Sequence, residues 1–146
     1  MLERFHPGSD GIFGQTSLEF YNKQSNPLGI DPDDPNGKDD VTTINQLHLP
    51  IGRPAIIHLT SKDVMHSFSL PVMRVKQDVI PGMSISTWFT PTKTGEFEIA
   101  CAQLCGLGHY RMKGFLTIHT QEGFDTWFSE QSSSSDDEEG YDDFWN

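Results

Sequence analysis

The chain has 146 residues, a length that suits one domain of ordinary size and would leave two domains marginal. It carries 21 Asp and Glu against 10 Lys and Arg, a formal net charge of −11 at pH 7, which disfavours binding to nucleic acid or to an anionic membrane. No apolar run approaches the roughly 18 residues of a membrane-spanning helix, so we expect neither a bilayer span nor an export signal. Two cysteines are too few for a disulfide-stabilised scaffold but enough for a site.

Residues 1–40 are predicted to form an N-terminal arm followed by a polar loop. The stretch from 25 to 40 contains three prolines and two glycines, which exclude a helix or a central strand. We therefore expect the folded domain to begin near residue 41.

The middle of the chain consists of short segments with a period of two, rich in β-branched and aromatic residues and separated by Pro or Gly. The predicted strands are 41–49, 54–60, 64–70, 83–90, 96–100 and 114–120. Six strands at this spacing predict an all-β domain over residues 41–131, an antiparallel sandwich or barrel. Phe124, Trp127 and Phe128 recur at i, i+3 and i+4, which predicts a short C-terminal helix.

The C-terminal residues 132–146 hold six carboxylates and no basic residue, and their removal changes the net charge from −11 to −5. This composition predicts a disordered acidic tail. Such a tail is either a solvated end without a role or a segment for phosphorylation or partner binding.

One segment, residues 101–112, concentrates groups that bind metals. It supplies two thiols, an imidazole and a thioether, from Cys101, Cys105, His109 and Met112. Soft sulfur together with imidazole selects copper, zinc or iron–sulfur chemistry, and the thioether favours copper. Two glycines within the segment allow the loop to curl so that the side chains converge.

Several kinds of site are compatible with this segment. Cys105, His109 and Met112 have the spacing of a mononuclear blue-copper loop, for which His66 is the candidate second histidine. That ion has no place for Cys101, whereas two thiolates can bridge two copper ions. A zinc site of two Cys and two His, in a zinc-stabilised β-sandwich that serves as a binding module, stays open. So does a copper chaperone or store that holds Cu(I).

The remaining histidines of the predicted strands are assigned to no metal. His48, His58 and His119 lie in alternating segments, where a hydrogen-bonded or solvent-facing histidine is the usual case. No Ser/His/Asp or paired-carboxylate pattern that would indicate hydrolysis stands out in the sequence.

The His66 segment, residues 75–82, and residues 97–112 with their Cys-x3-Cys-x3-His-x2-Met spacing resemble the copper-A domain of cytochrome c oxidase subunit II. The resemblance covers residues 41–131 and implies a cupredoxin-like Greek-key β-sandwich or barrel with a binuclear copper A centre of two copper ions. The ligands it implies are Cys101 and Cys105 as bridges, His66 and His109 on one ion each, and Met112 and the backbone carbonyl of Gln103 as weak ligands.

By the same resemblance, the domain accepts electrons from cytochrome c and passes them to haem in the haem-copper oxidase subunit I. The chain is then a subunit of an enzyme and makes or breaks no substrate bond itself. Its expected place is the extracytoplasmic, periplasmic face of the respiratory membrane, and Asp63 and Asp78 are expected to help dock the basic donor.

The sequence also departs from the family pattern. Subunit II normally carries two membrane-spanning helices ahead of this domain, and we expect this chain either to be a fragment or to associate through partners. Many members have Glu where Gln103 stands, its carboxylate reaching a shared magnesium site, and an amide cannot replace that charged ligand. The copper-A domain of nitrous oxide reductase shares the ligand set but usually has Trp between the cysteines, so Gln103 argues against it.

Overall fold

The structure, a computed structural model, describes residues 2–5, 12–38 and 40–133. The strands are β1 (Leu2–Phe5), β2 (Val41–Ile44), β3 (Gln46–Pro50), β4 (Ala55–Leu59), β5 (His66–Leu70), β6 (Val75–Val79), β7 (Ile85–Phe89), β8 (Gly95–Cys101) and β9 (Lys113–His119), and the helix is α1 (Gln121–Ser133). The chain divides into two compact units, of which one covers residues 43–125 and the other combines residues 2–42 with those from 126 onward.

The larger unit contains a five-stranded sheet in the order β3-β9-β8-β5-β6 and a two-stranded sheet of β4 and β7. This all-β architecture of two sheets confirms the predicted fold class. One pair differs from an antiparallel sandwich, because β3 runs parallel to β9. The two strands are far apart in the chain, so no hairpin connection forces them to run in opposite directions.

Three differences separate the predicted strands from the observed ones. Strand β1 lies in the predicted N-terminal arm, where no strand was expected. The segment 41–49 forms two strands rather than one, because Asn45 has a φ of 58° and interrupts the extended backbone. Strand β6 was not predicted. Its residues alternate, with Val75 and Gln77 half-buried, Val79 buried, and the residues between them exposed. Its charged and amide side chains therefore mask a period of two that is present in the sequence.

The core of the larger unit is aliphatic and aromatic. Its buried side chains are Leu47, Phe68, Leu70, Val79, Phe89, Ile99, Leu116 and Ile118. In β9 the buried positions alternate with less buried ones, as expected for a strand with one face toward the core. These side chains hold together the two strands, β5 and β8, that carry the candidate site.

The smaller unit is organised by two carboxylates. Asp40 Oδ2 accepts hydrogen bonds from the guanidinium of Arg4 and, at 3.0 Å, from Gly14 N–H. Asp34 accepts from the backbone N–H groups of Gln15 and Asn36, and these bonds lower the pKa of its carboxyl group. Within the described residues, the polar loop from 25 to 40 holds turns, isolated bridges and one 3-10 turn.

The predicted C-terminal helix is present as α1. Thr120 caps its start, with its side-chain oxygen accepting from Gly123 N–H at 3.2 Å. The helix continues to Ser133, so it includes the first two residues of the predicted tail, and residues 134–146 of that tail lie outside the described part. Among the helices that the structure describes, none is both long and apolar enough to cross a membrane.

Candidate metal centre

Two neighbouring strands bring the first ligand candidates to one edge of the sheet. Strand β5 begins at His66 and strand β8 ends at Cys101, and the two strands run antiparallel with Phe68 opposite Cys101. The start of one antiparallel strand lies beside the end of its neighbour. A hydrogen bond of 2.9 Å from Ala102 N–H to the Ser67 carbonyl continues the pairing beyond the cysteine.

The other candidates lie on the loop from 102 to 112, which connects β8 to β9. Gly106 turns this loop with a φ of 128°, a conformation that favours glycine. A 3-10 turn at His109–Arg111 follows, and Cys101 N–H donates to the Met112 carbonyl at 3.2 Å. The loop therefore closes back on the end of β8, which places its side chains against Cys101.

The six residues predicted as ligands converge in the structure. The two sulfurs of Cys101 and Cys105 lie 3.8 Å apart, and both thiols are free. The other separations are 3.9 Å from Cys101 Sγ to His66 Nδ1, 3.6 Å from Cys105 Sγ to His109 Nδ1, 3.8 Å from Cys105 Sγ to Met112 Sδ, and 3.2 Å from Cys101 Sγ to the Gln103 carbonyl oxygen.

These separations fit soft-metal coordination. Metal–sulfur bonds of about 2.3 Å and metal–nitrogen bonds of about 2.0 Å place two ligands of one tetrahedral ion about 3.5 to 3.8 Å apart. The sulfur–sulfur distance of 3.8 Å equals the upper value, which applies to two sulfurs. The sulfur–nitrogen distances of 3.6 Å and 3.9 Å exceed the lower value, which applies to a sulfur and a nitrogen, by 0.1 Å and 0.4 Å. The cluster of two thiols, two imidazoles, a thioether and a carbonyl is thus suited to a thiophilic ion such as copper.

The arrangement of the two histidines bears on the number of ions. The ligand atoms of His66, Cys101 and Cys105 all lie within 4.8 Å of one another, and His109 does not join this group. One tetrahedral ion needs all four ligand atoms within about 4 Å of one another. The two imidazoles instead approach different sulfurs of the cysteine pair.

The sequence did not indicate that Asp63 contacts a ligand candidate. Its Oδ1 lies 2.8 Å from His66 Nε2, on the side of the ring opposite Cys101. Asp78, the other carboxylate predicted to dock a donor, is exposed on β6 opposite Ser67. An aspartate three residues before the candidate ligand His66 was the signal available in the sequence.

The two thiols differ in their acidity. Partial burial by itself raises the pKa of Cys101, but hydrogen bonds with the backbone at Ser67 and Gln103, aided by the nearby imidazoles, outweigh it and lower the pKa to about 6. Burial and the neighbouring Cys101 sulfur raise the pKa of Cys105. Cys101 therefore loses its proton at a lower pH than Cys105 does.

The pKa values of Asp63 and His66 shift in opposite directions. The hydrogen bond with His66 is the main cause that lowers the pKa of Asp63, to about 2. Burial alone would lower the pKa of His66, but the bond to Asp63 and the Cys101 sulfur raise it. Both shifts stabilise the charged form of the pair.

The loop that surrounds the site is apolar on its outer side. Leu104, Leu107 and Tyr110 are 78%, 98% and 81% exposed, and all three lie between ligand candidates in the sequence. Exposed apolar side chains grouped in one place mark an interaction surface more often than a lone one does.

The histidines outside the site hydrogen-bond as expected. His48 Nδ1 and His119 Nε2 lie 2.8 Å apart, and the ring planes are inclined by 18°. Ser86 Oγ lies 2.9 Å from His58 Nδ1 on the other sheet. None of the three belongs to the cluster of ligand candidates that the described residues form.

Comparison with known proteins identifies relatives of this chain. The family model described as cytochrome C oxidase subunit II, periplasmic domain, matches residues 33–118, a range that covers more than half of the chain and contains the six ligand candidates. The chain is 40% identical over 128 residues, 87% of its length and 46% of the relative, to the alternative cytochrome c oxidase subunit 2 of Bradyrhizobium diazoefficiens. It is 44% identical over 82 residues, 56% of its length and 25% of the relative, to cytochrome c oxidase subunit 2 of Thermostichus vulcanus.

A solved structure agrees with these relatives. The crystal structure of the periplasmic domain of subunit II of cytochrome oxidase from Bradyrhizobium japonicum superposes with a TM-score of 0.62 at 27% identity, over 70% of this chain and 83% of that one. The chain spans less than half the length of the two curated relatives. It belongs to the family of the periplasmic domain of cytochrome c oxidase subunit II.

Proposed function

We propose that this domain is the electron-accepting module of a haem-copper cytochrome c oxidase, with a binuclear copper A centre at the cysteine pair. The observation that carries the proposal is that His66 and His109 approach different sulfurs of two cysteines only 3.8 Å apart. Each sulfur then has room to contact two ions, because two bridging ligands with bonds of about 2.3 Å must lie less than about 4.6 Å apart. The relatives, all named as oxidase subunits, support the same function.

The proposed ligands are the six residues that converge. Cys101 and Cys105 would hold both ions through Sγ, His66 and His109 would each supply an imidazole Nδ1, and Met112 Sδ and the Gln103 carbonyl would be weak ligands. When bound, two copper ions bridged by thiolates supply a one-electron acceptor. The strands β5 and β8 hold His66 and Cys101 on rigid backbone, which limits rearrangement when the charge changes. No bond of a substrate is made or broken on this chain.

The proposed donor is cytochrome c or a similar basic electron carrier. The exposed side chains Leu104, Leu107 and Tyr110 cover the ligand loop and offer an apolar contact close to the centre. Asp63 and Asp78 are exposed nearby and carry the negative charge that a basic protein would meet. The net charge of −11 favours such a partner over long range.

The proposed acceptor is haem in subunit I of the oxidase. The family to which the chain belongs is described as periplasmic, so we place the domain on the extracytoplasmic face of the respiratory membrane. Gln103 offers its backbone carbonyl near Cys101, but its amide side chain carries no charge for a magnesium ion shared between subunits.

Metal analysis tests the proposal directly. The reduced chain is incubated with copper, freed of excess metal, and examined for copper content, near-infrared absorption and electron-spin resonance. We expect two copper ions per chain and a mixed-valence signal shared by both ions. One copper ion per chain with a blue-copper spectrum would refute the binuclear centre.

A competition with zinc separates the remaining alternative. A zinc-stabilised binding module would take one zinc ion through two Cys and two His and would not depend on Met112. We expect copper to displace zinc. As a control, His58→Gln changes a histidine that contacts Ser86 on the other sheet, and it should leave the copper content unchanged. One tightly held zinc ion that copper cannot displace would favour the binding module.

A further inference from the structure

The imidazole of His66 is contacted at both of its nitrogens. Nδ1 faces Cys101 Sγ at 3.9 Å, and Nε2 lies 2.8 Å from Asp63 Oδ1. A neutral imidazole has one N–H group and one nitrogen lone pair, so the group bound at one nitrogen determines what the other can do.

Local hydrogen bonds hold the carboxylate of Asp63 in place. Ser61 Oγ lies 3.1 Å from Asp63 Oδ1 and accepts from Asp63 N–H at 3.4 Å. The same hydroxyl lies 2.5 Å from the Val64 carbonyl oxygen. The turn from 61 to 64 thus presents the carboxylate toward the residue that begins β5.

We propose that Asp63 is a positioning residue for the metal centre, which fixes His66 in the tautomer protonated at Nε2 and directs the Nδ1 lone pair toward the metal beside Cys101. A carboxylate accepts hydrogen bonds and does not donate them, so the proton of the neutral ring must lie on Nε2. The inference rests on the proposed function, because it takes the cysteine pair to be a metal site.

The second imidazole of the centre is different. His109 Nδ1 faces Cys105 Sγ at 3.6 Å, and no carboxylate is recorded at its Nε2 among the described residues. The two imidazoles are therefore unequal, and loss of the Asp63 carboxylate acts on the His66 side alone. Because the Asp63 side chain is 70% exposed, water competes for the bond. We expect a change of about tenfold in metal affinity, the lower end for such partners.

The tautomer is measured first, on the metal-free reduced chain, so this readout does not require copper. Long-range nitrogen–proton correlation spectra of the histidine-labelled protein report which nitrogen carries the proton, at a pH where the ring is neutral. We expect Nε2–H in the parent and a mixture in Asp63→Asn, because an amide both donates and accepts. Asp78→Asn, a matched change at an exposed carboxylate of β6, should resemble the parent.

Copper affinity is measured second, by competition of the same three proteins with a chromophoric Cu(I) chelator. We expect Asp63→Asn to bind about tenfold more weakly and Asp78→Asn to match the parent. An unchanged tautomer in Asp63→Asn, or an unchanged affinity, would overturn the positioning role. If no variant binds copper while the tautomer still depends on Asp63, the proposed function fails and the tautomer assignment is supported.

Discussion

The hydrogen-bonded pair of the buried His48 and the half-buried His119 makes the stability of the domain depend on pH. Their ring nitrogens lie 2.8 Å apart, and the centroid separation of 5.1 Å is close to that distance plus the two ring radii. The rings therefore meet edge to edge, nearly in one plane, and the contact is an imidazole–imidazole hydrogen bond rather than a stack. Such a bond needs one neutral ring as its acceptor.

The pKa values of both histidines are lowered. Burial, aided by the charge of His119, lowers the pKa of His48 from 6.5 to about 4, and burial also lowers the pKa of His119. Between pH 6.5 and 4 the unfolded chain binds a proton that folded His48 does not, so the free energy of unfolding rises with pH in this window. The contribution of His48 to the free energy of unfolding is complete above pH 6.5, the pKa of the unfolded chain, and it decreases as the pH falls toward 4.

The size of the effect follows from the displacement. Lowering the pH from 7 to 5 should remove about 1 to 2 kcal/mol through His48, after allowance for partial solvent screening. Urea unfolding of the metal-free reduced protein at several pH values measures it, with His48→Gln as the test and His58→Gln as the control. We expect the pH dependence to shrink by that amount in His48→Gln and to persist in His58→Gln.

The comparison uses the slope of the free energy of unfolding against pH, so a loss of stability that is equal at every pH does not affect it. If His48→Gln loses as much stability as the parent between pH 7 and pH 5, the buried neutral imidazole of His48 is not the cause.

Four further predictions concern the metal centre and its donor. Cys101→Ser should convert the centre toward a single copper ion, since a complete blue-copper ligand set remains; a variant that keeps two ions and the parent spectrum would contradict the bridging role. Met112→Leu preserves side-chain volume and should keep both ions while it shifts the reduction potential, whereas loss of copper would show a strong structural ligand. Asp78→Asn should slow oxidation of a basic cytochrome c in stopped-flow experiments at low salt, and the difference should vanish near 1 M salt, where the Debye length is about 3 Å. Leu107→Ser should slow the same reaction at every salt concentration. If the variant and the parent have equal rates at each salt concentration, this loop makes no apolar contact with the donor.

Much of the site was readable from the sequence, because its ligands are concentrated. Five of the six candidates fall within residues 101–112, and their residue types limit the chemistry to soft metals. The class of fold was readable as well, since alternating short segments bounded by Pro and Gly suit strands with one buried face. Strand β6 escaped because its exposed charges hide the alternation.

The pairing of strands was decided by the tertiary structure. His66 lies 35 residues before Cys101, and only the antiparallel register of β5 with β8 brings the two within 3.9 Å. The parallel pairing of β3 with β9 likewise brings His48 to His119 across 71 residues. Register depends on which side chains the whole core buries, and no local pattern contains that information.

The groups that could bind a metal were evident from the sequence: two thiols, an imidazole and a thioether at a spacing that one loop can gather, and a second imidazole at His66. The tertiary structure alone decided how each imidazole is oriented, with His66 between Asp63 and Cys101, and His109 against Cys105. It also gave Asp63 a partner that its place in the sequence did not reveal. The reason is physical, since ligand chemistry resides in residue types, whereas tautomer, acidity and distance depend on neighbours that folding brings from elsewhere in the chain.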